Sequence, residues 1–110
     1  MATLDTAQGT VSSLVRERWE GGGIVDLSFR TDAATGGWRI AFDLDGDIAN
    51  IWNARVLSRE GTRYVVGNVE YNGRLAAGET VEFGLQVTGS PDVSPLSIDL
   101  APPAAGDAAP

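Results

Sequence analysis

The chain contains no cysteine, no histidine and no lysine. Without Cys or His there is no disulfide framework, no thiolate nucleophile, no Ser-His-Asp or Cys-His arrangement and no Cys/His zinc site. Helical periodicity is also missing, because no segment sustains apolar residues at a 3.6-residue spacing. No apolar run approaches the ~18 residues that a membrane-spanning helix requires, and no secretory leader is visible in the sequence. Basic charge is scarce: 8 Arg stand against 15 Asp and Glu, for a net charge of −7. A surface of that sign repels phosphate backbones and anionic lipid, so neither nucleic acid nor membrane is expected as a partner. Gly21-Gly22-Gly23 leads into a strand pattern rather than a helix, so it is turn chemistry and not a phosphate cradle.

What is present is alternation. Ile24 to Arg30 sets Val25, Leu27 and Phe29 against Asp26 and Ser28. Gly37 to Leu44 sets Trp38, Ile40, Phe42 and Leu44 on one face, and Thr80 to Thr88 sets Val81, Phe83, Leu85 and Val87 on one face. Such period-2 patterns mark half-buried antiparallel strands. Leu14 to Trp19 alternates with more charge and suits an edge strand. Ile48 to Tyr71 reads as two strands joined by a turn at Ser58-Arg59-Glu60-Gly61-Thr62, and Leu96 to Leu100 reads as a last strand with Leu96, Ile98 and Leu100 inward. With 14 Gly and 5 Pro supplying turns every 8–12 residues or so, 110 residues make one all-β domain, a two-sheet antiparallel, immunoglobulin-like β-sandwich. Residues 1–13 read as a flexible lead-in, 14–100 as the sandwich, and 101–110 as a Pro/Ala-rich linker or tail.

Trp38 shares the register of Ile40, Phe42 and Leu44 and is therefore assigned to the core. Trp19 lies beside glycines, while Trp52 and Tyr71 are each followed by asparagine. These three rings are the candidate binding platform. A pyranose ring presents a face of C–H groups, against which an aromatic face excludes water. Asn50, Asn53, Asn72 and Gln86 are candidate partners for sugar hydroxyls, and Asn53 and Asn72 fit turn chemistry equally well. Asp43-Leu44-Asp45-Gly46-Asp47 spaces carboxylates at every second residue, but it lacks the rest of a calcium loop and is read as a hairpin turn. Glycoside hydrolysis needs a cleft and an acid with a raised pKa, and a sandwich of this size has little room for a cleft. No catalytic residue, metal or cofactor is expected.

In order along the chain come Trp19-Glu20-Gly21-Gly22, Gly37-Trp38-Arg39-Ile40-Ala41-Phe42 and Ile51-Trp52-Asn53-Ala54. Tyr71-Asn72-Gly73-Arg74-Leu75-Ala76-Ala77-Gly78 and Val81-Glu82-Phe83-Gly84-Leu85 follow. With this order and spacing, Leu14 to Leu100 resembles the family 2 carbohydrate-binding modules, bacterial domains attached to cellulases, xylanases and chitinases. The resemblance implies a non-catalytic domain that adsorbs to insoluble β-1,4-linked polysaccharide, cellulose first and chitin second, through a flat row made by Trp19, Trp52 and Tyr71. It also implies an extracellular, monomeric module carried by a larger secreted enzyme. Gly22, three residues after Trp19, matches the cellulose-binding branch, whereas the xylan-binding branch tends to carry Arg there. Three positions depart from the family pattern: Tyr71 stands where Trp is usual, Gly23 where Phe is usual, and the disulfide commonly joining the termini is absent. The competing reading is a structural or adhesion sandwich that buries its exposed aromatics in a protein partner.

Overall fold

The computed structural model describes residues 2–101. Nine strands are formed among them: β1 (Ala2–Thr6), β2 (Gly9–Trp19), β3 (Gly22–Thr31), β4 (Gly37–Leu44), β5 (Asp47–Trp52), β6 (Arg55–Glu60), β7 (Arg63–Gly67), β8 (Thr80–Thr88) and β9 (Val93–Ala101). They make a five-stranded sheet in the order β1-β2-β3-β8-β5 and a four-stranded sheet in the order β6-β7-β4-β9, with all named pairs antiparallel. The expected all-β sandwich is what the chain forms.

The core follows the alternation read from the sequence. Val25, Leu27 and Phe29 from β3, with Phe83, Leu85 and Val87 from β8, meet Trp38, Ile40, Phe42 and Leu44 from β4. Trp38 is 1% exposed, as its register required. Its ring lies 5.3 Å from Phe83 and 5.8 Å from Phe29, centroid to centroid. Its indole Nε1 donates to the Asn72 carbonyl at 2.9 Å, so a buried donor is satisfied and the β7–β8 loop is tied to the core.

Four expectations are corrected. Residues 2–13, read as lead-in, form β1 and the start of β2, with Val11 fully buried. Polar-rich alternation in Ala-Thr-Leu-Asp-Thr is enough for a strand that pairs on one side only. Because β1 covers that edge, β2 is an interior strand and not an edge strand. The stretch after Ile48 holds three strands rather than two, since the chain leaves the first sheet after Trp52 and enters the second at Arg55. Asn53 makes this step with φ at +62°, a left-handed conformation that Asn tolerates better than most residues. Leu96 is 42% exposed: Ala41 pairs with Ser97 and Phe42 with Pro95, so Leu96 is the extra residue of a bulge and turns away from the core. Of the tail expected over 101–110, only Ala101 lies within the described residues.

Strand β9 is fastened without a covalent tie. Ser13 Oγ donates to the Val93 carbonyl at 3.4 Å and Thr35 Oγ1 to the Ala101 carbonyl at 2.6 Å.

Candidate functional site

Directly paired residues of an antiparallel sheet share a face. In the five-stranded sheet, Trp19 pairs with Gly22 and Gly22 with Thr88, while Trp52 pairs with Gly84 and Gly84 with Asp26. Residues 22, 26, 84 and 88 alternate with the buried residues of β3 and β8, so both tryptophans stand on the outer face of this sheet. Bulges at Arg16 in β2 and Ala49 in β5 restore that register on the flanking strands.

Each ring lies over a glycine of the neighbouring strand. A Cβ on Gly22 would stand 3.0 Å from Trp19 Nε1, and a Cβ on Gly84 would run directly into Nε1, Cε2 and Cζ2 of Trp52. The two indoles are therefore let down onto the sheet by the absence of a side chain beneath them. Gly84 and the Gly22-paired Thr88 are four residues apart on β8, which separates the two seats by ~13 Å along the strands. Between them the face carries Ile24 and the exposed Gln86, which pairs with Asn50, while Asp26 stands level with Gly84. Arg16 and Asp26 close a salt bridge at 3.0 Å there, with both side chains about half exposed.

Tyr71 arrives from the loop between β7 and β8 and is 76% exposed. Its hydroxyl donates to Asn53 Oδ1 at 2.6 Å. Asn53 follows Trp52 directly, so this bond sets the phenol beside the second indole. Asn72 completes the knot: its Nδ2 donates to the Asn53 carbonyl at 2.6 Å and its Oδ1 accepts from the Val69 amide at 2.9 Å. Asn53 Nδ2 donates in turn to the Glu82 carbonyl at 3.4 Å. Of the polar candidates, Asn53 and Asn72 are thus engaged in holding the loop, which is the turn chemistry weighed for them. Asn50 Oδ1 accepts from the Ile51 amide at 3.0 Å, leaving its amide nitrogen outward. The sequence singled out Asn50, Asn53, Tyr71 and Asn72, but Gly84 only as part of a motif, because its relation to Trp52 is cross-strand and invisible to local spacing.

Trp19 is 43% exposed. The preceding Arg18 donates from Nη2 to Asp92 Oδ1 at 2.7 Å, pinning the β8–β9 connection to the end of β2. This guanidinium, helped by the Ser90 hydroxyl, holds the Asp92 carboxyl below the usual carboxylate range. Asp47, from the alternating carboxylate run, pairs instead with Arg59 at 2.6 Å. Among the described residues no cluster of three His, Cys, Asp or Glu side chains is arranged to hold a metal ion.

The Gly84 seat has a measurable consequence. Gly84→Ala is expected to leave the melting temperature within a few degrees, because Gly in a strand interior is itself unfavourable. The added methyl forces the Trp52 ring off the sheet. The loss of one flat stacking contact, on the order of 1–3 kcal/mol by analogy with base stacking, predicts about a tenfold fall in affinity for a flat ligand. Adsorption isotherms beside melting curves decide it, and wild-type adsorption by a folded G84A protein would show that the seat has no role.

The family model described as "Cellulose binding domain" matches residues 9–101. Endoglucanase C of Cellvibrio japonicus is 28% identical over 90 residues, covering 78% of this chain and 12% of that protein, so the chain spans a small part of its curated relative. Several solved structures share the fold, two of them as follows. Chitinase ChiA74 from Bacillus thuringiensis superposes with a TM-score of 0.72 at 22% identity, over 83% of this chain and 15% of that one. The chitin-binding domain of Chi18aC from Streptomyces coelicolor superposes with a TM-score of 0.66 at 22% identity, over 90% of this chain and 95% of that one.

Proposed function

Because the chain belongs to the cellulose-binding-domain family, the family 2 carbohydrate-binding modules, we propose that it is a non-catalytic module that adsorbs to insoluble β-1,4-linked polysaccharide through Trp19, Trp52 and Tyr71. The observation that carries this reading is the pair of glycine seats. Two indoles lie flat on one sheet over Gly22 and Gly84, and the Asn53 knot brings a third ring to the same end as Trp52. A row of rings lying flat on rigid strands suits a flat, extended chain surface better than a soluble oligosaccharide that would need enclosure. Gln86 and the Asn50 amide stand between or beside the rings, where sugar hydroxyls would lie.

Cellulose is the first ligand and chitin the second. The glycine seat under Trp19 favours the flat cellulose surface, and the chitin-binding domain that shares this fold supports chitin as the alternative. The printed names of the relatives, an endoglucanase and a chitinase, support a place as a monomeric accessory domain of a larger secreted glycoside hydrolase.

Sedimentation with microcrystalline cellulose and with chitin tests the proposal. The protein is expected to leave the supernatant with cellulose, and less completely with chitin. Retention in the supernatant with both would overturn it. If light scattering then showed a dimer that Trp52→Ala dissociates, the rings would belong to a protein interface instead.

A further inference from the structure

The outer face of the four-stranded sheet, on the far side of the sandwich from the aromatic row, carries an open groove of about 350 Å³. Cross-strand pairing aligns Arg55, Gly67, Arg39 and Asp99 in one row over β6, β7, β4 and β9. Paired residues share a face, so the two arginines flank one glycine, each a single strand spacing of ~4.8 Å away. Gly67 makes room for Leu57, which forms the floor between them: a Cβ there would stand 2.8 Å from Leu57 Cδ1 and 3.2 Å from the Trp38 carbonyl oxygen. Leu57 is the extra residue of the β6 bulge between Val56 and Ser58, and this bulge turns it onto the groove.

The chain has nearly twice as many acidic as basic residues. Arg16, Arg18 and Arg59 each pair with a carboxylate, yet among the described residues Arg39 and Arg55 take no such partner. Two planar guanidinium forks beside one gap match a carboxylate, which accepts parallel N–H bonds from each. Leu57 suits the C–H face of a saturated ring. Asp99, next to Arg39, supplies an acceptor for hydroxyls and makes the row unfavourable for a phosphate or a polyanion, as does the net charge of −7.

We propose that this groove is a second glycan site, separate from the aromatic row, that takes a uronic acid unit with its carboxylate between Arg39 and Arg55. A module lying on its aromatic face leaves this groove turned away from the surface, open to a uronate-bearing side chain or a soluble acidic oligosaccharide.

Amide chemical-shift titration of the labelled chain with D-glucuronate, and separately with D-glucose and with acetate at matched ionic strength, tests it. Glucuronate is expected to give saturable shifts centred on Arg39, Arg55, Leu57 and Gly67, weakened by added salt. Glucose and acetate are expected to give none at the same concentration. Arg39→Gln and Arg55→Gln, both at exposed positions, are each expected to weaken the glucuronate constant at least tenfold. Neither changes adsorption to cellulose, and Trp52→Ala leaves the glucuronate shifts in place. The absence of saturable shifts overturns the site, and so does an equal response to acetate, which marks a bare anion contact. Shifts that survive in the double Arg39→Gln, Arg55→Gln variant overturn the assigned residues.

Discussion

Trp38→Ala is expected to unfold the domain at ordinary temperatures or bring it close to that point. Truncating a fully buried aromatic costs about 3–5 kcal/mol, against a total stability of only about 5–15 kcal/mol for a domain. Two further losses add to the cavity. The ring contacts with Phe29 and Phe83 go, and the Asn72 carbonyl loses its indole donor. At roughly 4–8 °C per kcal/mol for a domain of about this size, calorimetry should show a fall in melting temperature of at least ~12 °C. Trp38→Phe, which keeps a ring but not the N–H, should fall between. A Trp38→Ala protein that melts like the wild type would place this tryptophan outside the core.

Trp52→Ala is expected to do the reverse. The ring is half-buried on an edge strand and lies outside the core cluster, so the melting temperature should move little. Binding, in contrast, loses the ring that lies over Gly84 and stands beside Tyr71. With each 1.4 kcal/mol worth about tenfold, a stacking contact of ~1–3 kcal/mol predicts at least a tenfold drop in affinity for cellulose. Trp19→Ala should cost less, since it leaves the Trp52–Tyr71 end intact. Isotherms for the two variants, read beside their melting curves, separate surface from core. If Trp52→Ala melts early while binding is retained once folded, the row is misassigned.

The contrast between these two tryptophans was legible in the sequence because it rests on local register. Trp38 sits two residues from Ile40 and four from Phe42, and alternation alone turns it inward. Trp19, Trp52 and Tyr71 stood out by their polar and glycine neighbours. The features that escaped reading are of two kinds. One is the bulge: at Arg16, Ala49, Leu57 and Leu96 a single extra residue resets which face follows, and only at Leu96, which follows Pro95, does a Gly or Pro stand beside it. The step between sheets at Asn53 is similar, since its only mark is one left-handed asparagine. The other kind is the cross-strand relation. Gly84 beneath Trp52, and Gly67 between Arg39 and Arg55, are set by pairings between stretches far apart in the chain. Alternation predicts a strand's faces but not its neighbours.

The strand order has a consequence for how the protein is made. β3 and β8 are adjacent at the centre of the larger sheet, yet paired residues such as Phe29 and Val81 are separated by roughly fifty residues of chain. Closing so long a loop before its contacts can form is what makes such β-topologies slow, on the order of milliseconds to seconds. A chain emerging from the ribosome at about 5–20 residues per second presents Trp19, then Trp52, then Tyr71 before β8 exists. Gly84, the seat of Trp52, appears after all three. For several seconds of every synthesis the aromatics are exposed with nothing to lie on, and the unpaired edges of β3 and β5 are exposed with them. Yield in a fast-translating host should therefore depend on what shields that half-built sheet, even where the finished domain is stable.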